Sequence, residues 1–131
     1  MRTHFLAQLP LGGRDAVLQA FPDFDFYNLS RVTRFIVEWG KHNEALADCC
    51  LAALYTDTSI SAPIEVTLCF QDVRHASLPD FSPLFFLTEL EIEDVSSHQL
   101  EGVRFRTKNF GSTAFEVLSG DISIEIAWPK V

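Results

Sequence analysis

Two neighbouring stretches alternate charged with apolar residues, and this alternation constrains the fold more than any other feature of the chain. The first stretch is acidic and the second is basic, with charged residues Glu89, Glu91 and Glu93, then Arg104, Arg106 and Lys108. Strict alternation is typical of a half-buried β-strand, because successive side chains point to opposite faces. We therefore predict two antiparallel strands between Phe86 and Lys108. Their cross-strand ion pairs would be Glu93 with Arg104, Glu91 with Arg106 and Glu89 with Lys108.

Three further stretches precede this pair. Ser30 to Trp39 alternates and predicts a strand that ends at Gly40. Ile64 to Gln71 predicts a second strand, and the change of parity at Asp72-Val73 indicates a bulge. The stretch from Glu44 to Tyr55 fits either a helix or a strand. We favour a strand from Cys49 to Thr56, because the first strand would otherwise lack a local partner. The inward side chains of the second strand would be Ile64, Val66, Leu68 and Phe70.

The last third of the chain predicts hairpins. Asn109-Phe110-Gly111 suits a three-residue loop that places Phe105 opposite Phe115. Ser119-Gly120 suits a two-residue turn. That turn would set Val117 opposite Ile122 and Phe115 opposite Ile124, so that the apolar faces coincide.

The first 27 residues carry weaker patterns. Met1–Gly13 contains Pro and Gly and predicts a flexible lead-in. Asp15 to Phe21 predicts a short helix, with Asp15 as its cap and Pro22 marking its end. Phe21–Tyr27 alternates aromatic residues with Asp or Pro, and we predict an irregular edge segment.

These elements predict one mainly β (β-rich α+β) domain over all 131 residues. We expect an antiparallel, sheet-based fold, either a sandwich or a single curled sheet, with one short N-terminal helix. A ligand-holding barrel is the alternative. The twelve phenylalanines indicate an aromatic-rich core.

The net charge of −8 argues against nucleic acid and anionic membranes as partners and would suit a basic partner. The only basic run, Arg104 to Lys108, would be neutralised by the acidic strand. No apolar run is long enough to cross a bilayer. Of the three cysteines, Cys49 and Cys50 are adjacent and would rarely bridge each other, so we expect a reducing cytoplasm.

No residue pattern in the sequence indicates a catalytic mechanism. The four histidines are scattered and form no metal-ligand pair, so we expect neither a metal nor a cofactor. A pair of Cys69 and His75 is conceivable as a nucleophile and its base, but a small packed cysteine is more common. The glutamates could suggest paired carboxylates, although opposed Arg and Lys would keep them ionised on a solvated face. We expect no catalytic activity.

A resemblance supplies the functional expectation. Three segments that follow one another in the chain carry this resemblance. They are V-T-L-C-F-Q-D-V (Val66–Val73), F-L-T-E-L-E-I-E-D-V-S (Phe86–Ser96) and L-E-G-V-R-F-R-T (Leu100–Thr107). This order resembles small bacterial proteins that include a family of polymorphic-toxin immunity proteins, and the resemblance runs from about Leu29 to Ile126. It implies an inhibitor that binds one cognate toxin and has no catalysis of its own.

We therefore predict a cytoplasmic binding protein whose partner is a cognate toxin or another protein. The alternatives are a small-ligand binder or enzyme on a curled sheet, and a subunit that forms a homodimer through an edge strand. Aromatic residues anchor interfaces, and an acidic face would meet a basic partner. The candidate partner-binding residues are Phe24, Phe26, Tyr27, Glu89, Glu91 and Glu93.

Overall fold

The computed structural model describes residues 2–40, 46–78, 87, 89–98, 101–109 and 115–127. Within these ranges the fold is mainly β with one short helix, as predicted. The elements are β1 (Arg2–Thr3), α1 (Arg14–Ala20), β2 (Leu29–Trp39), β3 (Ala47–Tyr55), β4 (Ile64–Val73), β5 (His75–Ser77), β6 (Leu90–Asp94), β7 (Phe105–Asn109), β8 (Glu116–Ser119) and β9 (Asp121–Ala127). Short 3₁₀ turns occur at Leu6–Gln8, Phe26–Asn28 and Ser96–His98.

The strands form two antiparallel sheets, so of the two predicted alternatives the single curled sheet is wrong. The five-stranded sheet has the order β1-β6-β7-β8-β5, and the four-stranded sheet has the order β2-β3-β4-β9. Apolar side chains of both sheets belong to one buried cluster, with Phe70 from one sheet and Phe105 from the other. The two sheets therefore share a single core.

The chain passes between the sheets twice at one place, which we call the Gly120 corner. Here β4 leads into β5 and β8 leads into β9. The Gly120 N–H donates to the carbonyls of Gln71 (2.9 Å) and Asp72 (3.3 Å), and the Arg74 N–H donates to the Leu118 carbonyl (2.9 Å). Asp72 has a φ of 53°, and the β3–β4 register shifts at this end of the strands. The bulge predicted at Asp72-Val73 is therefore confirmed, and it turns the chain toward the second sheet.

The predicted hairpin at Ser119-Gly120 is wrong. β9 does not pair with β8 but with β4, where Ile124 lies opposite Leu68 and Ile122 lies opposite Phe70. Alternation shows which face of a strand is apolar, but it does not show which strand lies beside it. The apolar face of β9 therefore matches that of β4 as well as that of β8.

The acidic and basic strands pair with each other, and their charged side chains share one face, as predicted. The predicted register of this pairing is wrong. Glu93 lies opposite Arg106 and Glu91 opposite Lys108, two residues away from the predicted pairs. Because the side-chain period is two, Glu91 and Arg106 still lie on one face of neighbouring strands, as predicted. Glu89 precedes β6 with a φ of 52°.

The ion pairs on this sheet also differ from the predicted ladder. Arg106 binds Glu116 of β8 (2.8 Å), and Arg104 lies 3.8 Å from Asp94 at the end of β6. Neither contact is one of the predicted pairs.

The β7–β8 register corrects a further prediction. Phe105 lies opposite Ser119 and not opposite Phe115, and the last pair before the loop is Lys108 with Glu116. The predicted loop Asn109-Phe110-Gly111 lies largely outside the described residues. The connection between β7 and β8 is longer than three residues. The residue opposite Phe105 is therefore four positions later in the chain than predicted.

The ambiguous stretch from Glu44 to Tyr55 is a strand as far as it is described, which settles the choice that we favoured. β3 pairs along β2 on one side and along β4 on the other. Cys50 and Cys69 lie directly opposite each other on its outer face and form a disulfide, whereas Cys49 is free and buried. The sequence analysis did not predict this bond, because the two strands had not been placed side by side.

The N-terminal segment is packed against the domain, which corrects the expectation of a flexible lead-in. Its leucines fill the core: Leu6, Leu9 and Leu11 are buried. Gly12 forms a parallel bridge with Ser123, so this segment lies against the outer edge of β9. The buried leucines supply the free energy that holds the segment in place.

Helix α1 begins one residue before the predicted start, and its cap is Gly13 instead of Asp15. Asp15 lies in the first turn and makes no capping hydrogen bond. Gly13 has a φ of 81°, and a Cβ at this position would lie 2.4 Å from the Ile124 carbonyl oxygen. Close packing against β9 therefore requires a glycine as the cap.

We expect Gly13→Ala to lower the free energy of unfolding by about 1–3 kcal/mol, because alanine would meet both a left-handed backbone and the Ile124 carbonyl. Urea unfolding followed by circular dichroism measures this loss. Gly12→Ala is the matched control, since a Cβ there meets its nearest atom at an ordinary 3.5 Å. We expect that control to lose less than about 1 kcal/mol. Equal losses at the two positions would contradict the assignment.

Candidate functional site

Two of the predicted partner-binding residues lie in the core. Phe24 and Phe26 are 1% and 0% exposed, so the expectation that they are surface aromatics is wrong. The Phe24 ring stacks on Tyr55 at 4.3 Å and meets Phe26 edge-on at 5.2 Å. The three phenylalanines Phe21, Phe24 and Phe26 point inward, and Tyr27, which is half-buried, lies in the 3₁₀ turn that ends the segment.

Tyr27 and Glu91, also predicted as partner-binding, are brought together from positions 64 residues apart. The Tyr27 hydroxyl donates a hydrogen bond to Glu91 Oε2. Arg2 Nε lies 3.2 Å from Glu91 Oε1, and His4 stacks on the Tyr27 ring at 3.8 Å. The His4 Nδ1 atom lies 2.6 Å from Asp25 Oδ1. We call Arg2, His4, Asp25, Tyr27 and Glu91 the Tyr27–Glu91 cluster.

Local structure places each member of this cluster. Asp25 caps the 3₁₀ turn by accepting a hydrogen bond from the Tyr27 N–H (2.9 Å). The Phe26 N–H donates to the His4 carbonyl (2.7 Å), which brings the His4 ring beside Tyr27. Glu91 comes from β6, so the cluster joins the N-terminal segment to the five-stranded sheet.

The hydrogen bond to Glu91 is the main reason that the pKa of Tyr27 is raised to about 12. Burial and the negative charges of Glu91, Glu89 and Asp25 raise this pKa further. At neutral pH the phenol is therefore a protonated hydrogen-bond donor. The arrangement ties two parts of the fold together through a carboxylate that is only 7% exposed.

The other two acidic residues of the predicted set lie beside this cluster. Glu89 is exposed and acts on Tyr27 through its charge. Glu93 lies in β6 with Arg2 on one neighbouring strand and Arg106 on the other. Glu93 is thus flanked by two positive side chains.

A second surface, which the sequence analysis did not predict, lies at the far end of β2. Trp39 is 76% exposed, and Ile36 and Val37 are each 42% exposed. Val37 and Trp39 lie on one face of β2 and Ile36 on the other, and we call Val37 and Trp39 the Trp39 patch. Its sequence signal is the run Phe35-Ile36-Val37, because three consecutive apolar residues in a strand cannot all face one core. The patch is the only group of neighbouring exposed large apolar residues in the described part of the chain.

The patch borders an open groove of about 380 Å³ between the end of the β2–β3 hairpin and the Gly120 corner. Val37 and Trp39 lie on the face of the sheet that carries the core, opposite Cys49 and Ala47. The lining is mostly apolar and includes Val37, Trp39, Leu46, Val73, Ala76 and Leu78. Arg74 and His75 add positive or titratable groups to the same groove.

Comparison with protein-family models, with curated proteins and with solved structures gives no match for this chain. Among the described residues, no group of three or more His, Cys, Asp or Glu side chains could hold a metal ion. The described helices are too short or too polar to cross a membrane.

We expect Tyr27→Phe to lower the free energy of unfolding by about 1–2 kcal/mol at neutral pH, because Glu91 loses a donor at a nearly buried site. Chemical denaturation of both proteins measures the difference. This loss also has a defined pH dependence. The folded-state pKa is raised from 10.0 to about 12, so the contribution of the phenol is complete below pH 10 and is lost as the pH rises toward 12.

The difference between wild type and Tyr27→Phe should therefore shrink over that window. The variant itself is the control, since it lacks the phenol that ionises. A difference that stayed constant up to pH 12 would show that the Tyr27–Glu91 hydrogen bond is not formed in solution.

Proposed function

We propose that this chain is a protein-binding domain that recognises one partner through the Trp39 patch and its groove. In the form that the sequence resemblance implies, it is an immunity protein that binds and inhibits a cognate toxin. The observation that carries the binding role is the 76% exposure of Trp39 beside Val37, which is 42% exposed on the same face of β2. Contiguous exposed apolar residues of this kind are typical of interaction surfaces.

The chemistry of the patch suits a protein surface. Tryptophan is enriched among the residues that dominate binding energy, because its large rigid side chain loses little conformational entropy on burial. The neighbouring groove offers a place for an apolar side chain of the partner. Its Arg74 and His75 would orient an acceptor or a carboxylate at the same place.

Charge favours a basic partner. The chain carries a net charge of −8, and complementary charge accelerates encounter and rejects acidic proteins. Glu89 and Glu93 lie beside the Tyr27–Glu91 cluster, away from Trp39, so we propose that their charge attracts such a partner at long range. A toxin that acts on an anionic substrate would present the basic surface that this charge requires.

A small-ligand site is the second candidate, favoured by one observation. The groove has about 380 Å³, which is within the range of ligand pockets. However, small-ligand pockets bury most of the ligand, and a groove bordered by a side chain as exposed as Trp39 is open to solvent. We therefore favour a protein partner over a small molecule.

The cytoplasmic location is part of the proposal. A disulfide such as Cys50–Cys69 persists in oxidising compartments and is reduced in most cytoplasms. An immunity protein in the cytoplasm would hold these two cysteines as thiols, which can still pack side by side on the outer face of β3 and β4.

The test is co-expression of this chain with the products of its neighbouring genes, followed by purification and a growth-rescue assay. We expect one product to copurify and its toxicity to be relieved. Trp39→Ala should then weaken the complex by about 30-fold or more in isothermal titration calorimetry, as expected of a dominant interface tryptophan.

Phe5→Ala is the matched control, because Phe5 is another large apolar residue with 39% exposure that lies outside the Trp39 patch. We expect it to change the affinity by less than about threefold. Two results would contradict the proposal: no complex and no rescue with any neighbouring product, or a complex that Trp39→Ala leaves unchanged.

A further inference from the structure

Among the described residues, no strand lies beside the outer edge of β2 along most of its length. β2 is the last strand of the four-stranded sheet, and its inner side pairs with β3. At its start, the Ser30 carbonyl accepts a hydrogen bond from the Leu87 N–H (2.9 Å). From Arg34 to Trp39 no described strand pairs with the outer edge. An edge strand of this kind presents backbone donors and acceptors to any strand that can lie beside it.

The opposite edge of the same sheet is closed. The Gly12 N–H donates to the Ile122 carbonyl (3.1 Å), and the Ile124 N–H donates to the Gly12 carbonyl (2.8 Å). The N-terminal segment thus occupies the edge of β9. The contrast makes β2 the open edge of this sheet within the described residues.

The side chains along β2 are arranged symmetrically about Ile36. Arg34, Ile36 and Glu38 lie on the outer face, opposite Ala52, Cys50 and Asp48 of β3. The pairing of β2 with β3 is regular from Arg34 to Trp39, beyond the bulge that precedes it. A two-fold axis through Ile36 would therefore place a positive charge at one end and a negative charge at the other.

We propose that a second copy of this chain pairs antiparallel with the outer edge of β2, with the two-fold axis at Ile36. Arg34 of each copy then lies opposite Glu38 of the other, and the two Ile36 side chains meet at the centre. Both charge pairs are complementary. The two four-stranded sheets become one continuous sheet.

Other registers that keep equivalent faces together are less favourable. A two-fold axis at Arg34 would set Arg34 against Arg34, and an axis at Glu38 would set Glu38 against Glu38. Axes at Phe35 or Val37 would leave each charge opposite an apolar residue or Gly40. The register centred on Ile36 is the one that pairs both charges with their opposites.

The local charge of β2 also permits the contact in a chain whose net charge is −8. β2 carries two arginines, Arg31 and Arg34, and one acidic residue, Glu38. The strand is thus a positive segment of an acidic protein, so two copies can meet here without opposing two acidic surfaces. Arg34 lies 3.9 Å from Glu65 and its side chain is 55% exposed, which leaves it free to turn toward a partner strand.

In this dimer the two-fold axis is perpendicular to the sheet, so the faces of the two copies are on the same sides. Both copies of Val37 and Trp39 would then lie on one side of the continuous sheet. The dimer does not depend on the proposed function, and it would present two binding grooves in the same direction.

Sedimentation velocity over a range of protein concentrations tests the proposal. One pair of edge strands is a small interface, so we expect a dissociation constant of roughly micromolar to 100 micromolar. Arg34→Glu and Glu38→Arg should each weaken the homodimer at least about tenfold, because each sets like charges opposite at both ends of the interface.

Mixing the two variants provides the sharpest readout. A mixed dimer of Arg34→Glu with Glu38→Arg has opposite charges at both ends, so the mixture should dimerise although neither variant does so alone. Arg31→Glu is the matched control: it makes the same charge change on the same strand, outside the paired stretch, and should dimerise like the wild type.

Two outcomes would overturn the proposal. The first is a wild-type chain that stays monomeric up to the highest concentrations, which would leave the edge to a strand of a different protein. The second is a dimer that neither charge variant weakens, or a variant mixture that stays monomeric. Circular dichroism of each variant shows whether the fold is retained.

Discussion

The structure depends on the Gly120 corner, where one short stretch of backbone joins two sheets around one core. Gly120 donates to two carbonyls of β4, and Arg74 donates to a carbonyl of β8, so each crossing strand is held by the other. A Cβ at Gly120 would lie 3.2 Å from the Gly102 carbonyl oxygen, which leaves little room for a side chain. The corner lets β4 and β8 contribute apolar faces to the same core while they belong to different sheets.

The corner also explains where the open edge among the described residues and the exposed apolar patch are found. The chain closes the β9 edge with its N-terminal segment and ties that segment to the other sheet through Tyr27 and Glu91. At the opposite side of the four-stranded sheet, β2 ends in exposed residues, and Trp39 lies there opposite the small buried residue Ala47. The groove forms because the β4–β5 connection turns away at the corner. The open edge and the apolar patch are thus two consequences of one long terminal strand.

Much of the fold could be predicted from local patterns, and the reason is visible in β4. Its residues Ile64, Val66, Leu68 and Phe70 are buried as predicted, because alternation directly reports which face meets the core. The short helix before Pro22 and the strand nature of Ala47–Tyr55 could also be predicted. Registers and partners could not, because a shift of two residues keeps every side chain on its face, as happened with Glu91 and Arg106.

The sequence by itself determined the positions of the longer strands, the inward face of β4 and the pairing of the acidic with the basic strand. Only the tertiary structure decided that Phe24 and Phe26 are buried, since hydrophobic character is the same for a core residue and an interface residue. It also brought Tyr27 to Glu91 and Cys50 to Cys69. Such contacts depend on how the two sheets pack around the core. This packing is a property of the whole chain, and no local sequence pattern predicts it.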